Sequence, residues 1–126
     1  MLTVLIATHN GAGTLPEVLE AYGRLHSPEG GWKLVIVDNA STDETERVLR
    51  SFARLLPLLS IHVAEQGQNL ARNRGLAEVA GDLVVFADDD ALPHADWLAR
   101  LRAAADAHPD FGLFGGAVRP RWEVSP

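Results

Sequence analysis

The chain has 126 residues, a formal net charge of −6 and no cysteine, so disulfides, zinc–thiolate centres and thiol catalysis are excluded. With 47% hydrophobic and 22% charged residues it carries enough apolar material for one folded domain. The acidic balance argues against a nucleic-acid partner, which wants a basic face.

Leu2 to Ala7 is an unbroken apolar, β-branched run, the pattern of a strand buried on both faces of a parallel sheet. The start, Met1 to Ile6, has neither a basic region nor a long apolar core; a signal peptide is not expected, nor a membrane span, and a cytoplasmic location follows as the expectation. A polar turn, Thr8 to Gly13, leads to Thr14-Leu15-Pro16-Glu17, which reads as a capping box. Leu15, Val18, Leu19, Tyr22 and Leu25 then recur at helical spacing, and Ser27 to Gly31 breaks the pattern.

Lys33 to Val37 predicts a second strand, running into Asp38-Asn39-Ala40-Ser41. Ser41 to Glu44 reads as a second capping box, before a helix that buries Val48, Leu49, Phe52, Leu55 and Leu56 and is stopped by Pro57. A weaker strand spans Ser60 to Ala64. Asn69 is expected to cap a short helix reaching Val79, with Leu70, Leu76 and Val79 as its apolar positions. Gly75 inside that helix costs about 1 kcal/mol relative to alanine, so a close neighbour is expected to need the space.

Asp82 to Ala87 predicts a fourth strand, ending in Asp88-Asp89-Asp90. A helix over Ala95 to Ala107 follows, with Trp97, Leu98 and Leu101 on a core-facing side. Phe111 to Val118 predicts a fifth strand, and Arg119 to Pro126 is an irregular tail. Strand–helix alternation implies an α/β fold: a Rossmann-like, mostly parallel sheet with helices on both faces. Right-handed crossovers gather the carboxyl ends of the strands on one rim, and with them Thr8, Asn10, Asp38, Asn39 and Asp88 to Asp90.

Three adjacent acids repel unless solvent or a cation screens them. They suit a hard divalent cation, Mg²⁺ or Mn²⁺, shared with the phosphates of a nucleotide; the other reading is an acidic turn that starts the next helix. Asp38 fits either a brace for the Asn39–Ser41 turn or an acceptor for a ligand N–H, such as the one uracil presents, or for a ribose hydroxyl. Arg72 offers a fork of donors to base or phosphate, whereas Arg74 reads as solvated. His9 reads as a turn histidine satisfied by backbone, and His94 as a surface histidine. Gly11 and Gly13 do not complete a Gly-x-Gly-x-x-Gly fingerprint, and no P-loop lysine is present.

Taken together, Ala7-Thr8-His9-Asn10, Val37-Asp38-Asn39-Ala40-Ser41-Thr42-Asp43-Glu44-Thr45, Asn69-Leu70-Ala71-Arg72-Asn73-Arg74-Gly75 and Phe86-Ala87-Asp88-Asp89-Asp90-Ala91-Leu92-Pro93 resemble the family 2 glycosyltransferases, over Leu2 to about Val118. The resemblance implies the nucleotide-binding half of the GT-A fold, with a donor-binding domain over 1–118 and a tail over 119–126. It implies that Thr8 and Asn10 line the nucleotide pocket, that Asp38 binds the base, usually uracil, and that Arg72 approaches base or diphosphate. Asp88 to Asp90 would be the Asp-x-Asp motif, with Asp90 and Asp88 on Mn²⁺ or Mg²⁺ and Asp88 or Asp89 toward the ribose or a metal-bound water.

The implied activity is transfer of a sugar from a nucleotide diphosphate sugar, a UDP-sugar above all, to a hydroxyl of a saccharide or lipid-linked acceptor, with inversion. In the whole protein this work would take place in the cytoplasm or at the cytoplasmic face of a membrane. The family's acceptor-binding half, its carboxylate general base and its Gln-x-x-Arg-Trp motif have no counterpart here, because Arg121-Trp122 lacks the preceding glutamine. The expectation is a truncated donor half, inactive alone, that self-associates through an uncovered sheet edge. A nucleotidyltransferase is the alternative, although its first loop would want a Lys or Arg. A Mg²⁺-dependent receiver-like module is the other; no lysine follows Lys33 to serve it.

Overall fold

The computed structural model describes residues 1–110 and 112. Four parallel strands, β1 (Leu2–Thr8), β2 (Trp32–Asn39), β3 (Leu58–Val63) and β4 (Leu83–Ala87), form one sheet in the order β3-β2-β1-β4. The chain steps outward from β1 to β3, then returns across the sheet to place β4 on the far side of β1. The carboxyl ends of β1 and β4 therefore flank the point where strand order reverses, where open α/β sheets hold ligands.

The helices are α1 (Leu15–Gly23), α2 (Thr45–Phe52), α3 (Gln68–Leu76) and α4 (Trp97–Ala107). Side-chain alternation along the strands divides the interior into two cores. Leu2, Val4, Ile6, Leu34 and Ile36 face one side, against Leu15, Leu19 and Tyr22 of α1, Leu49 of α2 and Leu98 of α4. Leu5, Val35 and Val37 face the other, against Ala71 of α3. Helices thus cover both faces, as the strand–helix alternation predicts. Trp97 packs at the rim of the first core, its ring edge-on to Tyr22 at 6.1 Å, while Trp32 stacks on Tyr22 at 6.0 Å.

Several local expectations change. Neither capping box forms. Thr14 makes no side-chain cap, and the first turn of α1 instead hangs on the Gly11 carbonyl, which accepts from the Thr14 and Leu15 amides at 3.1 and 2.9 Å. At α2 the work falls to Asp43, whose Oδ1 accepts the Thr45 amide at 3.0 Å. That helix ends at Phe52, before Pro57, so helical spacing no longer governs Leu55, which is 75% exposed. α3 begins at Gln68 after Gly67 rather than under an Asn69 cap, and stops at Leu76. Its buried positions are the small residues Ala71 and Gly75, one turn apart, and Leu70 and Leu76 lie exposed. The expected strand over 111–118 and the tail over 119–126 lie outside the described residues, and β1 is the described partner of β4.

The expectation at Gly75 holds. A Cβ there would stand 2.3 Å from Leu5 Cδ1 and 2.9 Å from Val37 Cγ2. Both neighbours are buried, and Val37 is stiff about χ1. Gly75→Ala should therefore lose stability despite the better helix propensity of alanine, by about 1–2 kcal/mol. Chemical denaturation with unchanged m-value checks this; a gain in stability would mean that α3 stands off the sheet.

Two polar anchors fix where β4 starts, and so where its acidic end emerges. Thr3 Oγ1, buried, donates to the Ala80 carbonyl at 2.6 Å and accepts the Ala80 amide at 3.0 Å. Arg102 of α4 reaches back to both oxygens of Asp82 at 2.8 and 3.2 Å and to Asp106 at 2.6 Å. These bonds from Arg102 hold the Asp82 carboxyl below its ordinary value.

Candidate functional site: the carboxyl rim of the sheet

Thr8 and Asp38 are strand residues, not turn residues. β1 and β2 each run on to their ends in register, so that Thr8 pairs with Asp38, and Asp38 in turn pairs with His62 of β3. Alternation points all three toward the α1 side of the sheet. Thr8 Oγ1 donates to Asp89 Oδ2 at 2.7 Å, tying the end of β1 to the acidic turn after β4. Gly11 is packed onto this link: a Cβ there would lie 2.2 Å from Thr8 Oγ1 and 3.2 Å from Asp89 Oδ2.

Asp38 is only 3% exposed, yet its Oδ1 has no hydrogen-bond partner among the described residues. Oδ2 faces His62 Nδ1 at 3.5 Å. A buried acceptor left unmatched costs roughly 1–3 kcal/mol, so the fold carries Asp38 at a loss. The turn that Asp38 might have braced is held by other groups.

Those groups stitch the β1 and β2 loops together. His9 Nδ1 donates to the Asn39 carbonyl at 2.6 Å, which leaves Nε2 to accept from Asn10 Nδ2 at 3.3 Å. Asn10 donates its amide to Ser41 Oγ at 2.8 Å and accepts the Thr42 amide on Oδ1 at 2.7 Å. The Gly11 amide donates to Thr45 Oγ1 at 2.9 Å, and the Ala12 amide to Asp43 Oδ2 at 3.2 Å. Asn10 and Ala40 take left-handed backbone, φ 51° and 55°. Asparagine tolerates this readily; Ala40 is held there by its amide bond to the Val63 carbonyl at 2.7 Å.

Asp43 carries an acid-sensitive part of this stitching. The Thr45 hydroxyl that donates to it, followed by the amides of Thr45 and Ala12, holds its carboxyl below the ordinary value of 3.8. A lowered folded value means that the unfolded chain binds the proton first. The stability from Asp43 is therefore complete above 3.8 and drains away as pH falls through the folded value. Asp43→Asn should give up that contribution at neutral pH and flatten that part of the acid unfolding curve, because the amide cannot ionise and its one oxygen cannot serve both Thr45 and Ala12; unaltered stability at neutral pH and an unaltered curve would contradict the assignment.

Asp88 and Asp90 are exposed on the turn, and Asp89 is half-buried under Thr8. The Tyr22 hydroxyl is pushed well above its ordinary value, chiefly by burial and secondarily by the negative charge of Asp88. Among the described residues no group of three or more His, Asp or Glu side chains is arranged to hold a metal ion. The exposed oxygens of Asp88 and Asp90 still fit the sparser set by which Mg²⁺ is commonly held, one or two carboxylates completed by substrate phosphates.

The rim thus unites Thr8, Asp38 and Asp89, flanked by Asp88, Asp90 and the Asn10 loop. Arg72 stands apart. It lies on the α3 side, its guanidinium 6.0 Å over the Phe86 ring, in an open groove of about 480 Å³ shared with Asn69, Asn73 and Leu76. His94 accepts the Asp96 amide at 3.2 Å within the turn before α4. Sequence reasoning missed His62, because no local signal gives the register of β3. It also passed over Gly11 because the glycine fingerprint was incomplete.

The Glycosyl transferase family 2 model matches residues 3–125. The chain belongs to that family. It is 32% identical over 101 residues to the glycosyltransferase AglE of Haloferax volcanii, covering 79% of this chain and 33% of that protein. It is 38% identical over 121 residues to a PGL/p-HBAD biosynthesis glycosyltransferase of Mycobacterium tuberculosis, covering 94% of this chain and 46% of that one. The chain therefore spans between a third and a half of the length of these relatives. Among solved structures it resembles S. aureus TarS 1-349 in complex with UDP-GlcNAc, with a TM-score of 0.79 and 26% identity over 85% of this chain and 31% of that one. It also resembles the mannosyltransferase PcManGT from Pyrobaculum calidifontis in complex with GDP-Man and Mn2+, with a TM-score of 0.71 and 35% identity over 77% of this chain and 30% of that one. The fold is accordingly that of the GT-A glycosyltransferases.

Proposed function

We propose that this family 2 chain is the donor-binding part of a glycosyltransferase. It would hold a nucleoside diphosphate sugar, a UDP-sugar first, for inverting transfer to a hydroxyl of a saccharide or lipid-linked acceptor at the cytoplasmic side. The observation that carries this reading is the buried, unmatched Oδ1 of Asp38 beside the Thr8–Asp89 link. An acceptor left bare at such cost is matched when a ligand N–H arrives, and the pairing edge of uracil offers one.

From Asp38 outward the roles follow the rim. Thr8 holds Asp89 in place, and Asn10 shapes the loop that lines the pocket through its bonds to Ser41 and Thr42. Asp88 or Asp89 meets the ribose, and Asp90 with Asp88 supplies carboxylate oxygens to Mn²⁺ or Mg²⁺. Such a cation offsets the charge of the diphosphate leaving group. Arg72 would serve the base or diphosphate after leaving the Phe86 ring. That the relatives are structurally known with UDP-GlcNAc, and with GDP-Man and Mn2+, supports this assignment.

No described residue is a candidate for the general base that accepts the proton of the acceptor hydroxyl, so residues 1–126 alone should transfer little or no sugar. Calorimetry with UDP and GDP, with and without Mn²⁺, tests the reading. UDP binding that needs the metal and disappears in Asp90→Ala supports it. Absence of binding to either nucleotide, or binding indifferent to both metal and Asp90, overturns it.

A further inference from the structure

Asp38 has two neighbours in register across the sheet, and they treat it differently. Thr8 turns its hydroxyl away, to Asp89. His62 turns its ring toward the carboxylate, with Nδ1 3.5 Å from Oδ2. The ring is otherwise outside the core, its side chain 58% exposed, while the carboxylate it faces is 4% exposed. Rotation of a carboxylate about its terminal bond is soft, and Oδ1 of the buried Asp38 carboxylate has no hydrogen-bond partner among the described residues.

We infer that His62 is a positioning residue for base recognition: by drawing Oδ2 toward the β3 edge it keeps Oδ1 of Asp38 aimed at the nucleobase N–H. The inference rests on the donor-binding reading above. It adds a second side chain to the selection of the base, one strand further out than the acid rim. The neutral ring with its proton on Nδ1 and the imidazolium both supply the donor that Oδ2 requires. Ligand contact remains with Asp38, and His62 acts through it.

The test compares His62→Ala, His62→Phe and His62→Gln by calorimetry with UDP in the presence of Mn²⁺, alongside thermal melts. Phenylalanine keeps a ring but no donor; the amide of glutamine restores a donor. Alanine and phenylalanine should each weaken UDP binding about threefold to fivefold, the scale of a close polar contact with a half-exposed partner. Glutamine should recover most of the loss, and the melting temperatures should stay together. In an Asp38→Ala background, His62→Ala should have no further effect. Parental affinity in both alanine and phenylalanine variants overturns the inference while leaving the donor-binding reading intact, as do losses that multiply in the double variant. Failure of the parent chain to bind UDP or GDP overturns both.

Discussion

Gly11→Ala is expected to cost about 2–4 kcal/mol of stability and to abolish metal-dependent UDP binding. Its Cβ would arrive 2.2 Å from Thr8 Oγ1 and 3.1 Å from Leu15 Cδ1. Thr8 is 2% exposed and Leu15 fully buried, so neither has free space into which to retreat. The least disruptive response is for Thr8 to rotate and give up its bond to Asp89. That frees the acidic turn from β1, and the lost bond adds to the overpacking of a close-packed site, itself worth about 1–3 kcal/mol. Denaturant unfolding together with calorimetry reads both consequences. Thr8→Val serves as the comparison, because it breaks the same bond without the added methyl. It should lose much of the binding but less of the stability. Parental behaviour in Gly11→Ala would show that the Thr8–Asp89 link does not organise the rim.

The parallel α/β architecture was legible because its signals are periodic and local. The continuous apolar runs at Leu2–Ala7 and Lys33–Val37 announce strands covered on both faces, and the structure covers them. What escaped was whatever depends on register and close approach. In the sequence Asp38 reads as the start of a loop because its polarity ends the apolar run, yet it is a strand residue held between Thr8 and His62. The apolar positions of α3 misled for a related reason. That helix lies so near the sheet that small residues, Ala71 and Gly75, do the burying, and the leucines that dominate its periodicity stay outside. The capping boxes failed because backbone and loop groups, the Gly11 carbonyl and the Asp43 carboxylate, claimed the helix starts first. The resemblance to family 2 reached the rim by motif, although it gave no hint that the Asn10 side chain is engaged in joining two loops.

Asp38 offers the sharpest separation of function from stability. Asp38→Asn keeps the shape of the side chain but removes the charge that is buried without a hydrogen-bond partner on Oδ1. Unmatched buried acceptors weigh against the folded state, so the variant should be as stable as the parent or more stable by about 1 kcal/mol. Its UDP affinity should nevertheless fall roughly tenfold, because a charge-assisted bond to the base becomes a neutral one. Asp38→Ala, with no acceptor at all, should fall roughly a hundredfold, equivalent to about 2.7 kcal/mol. The two measurements move in opposite directions only if the carboxylate is retained for a ligand. If it served the fold, as a brace for the Asn39–Ser41 turn, both variants would melt earlier and bind less in proportion. Melting curves and calorimetric titrations of the two variants, taken on the same preparations, decide between a carboxylate kept for the base and one kept for the turn.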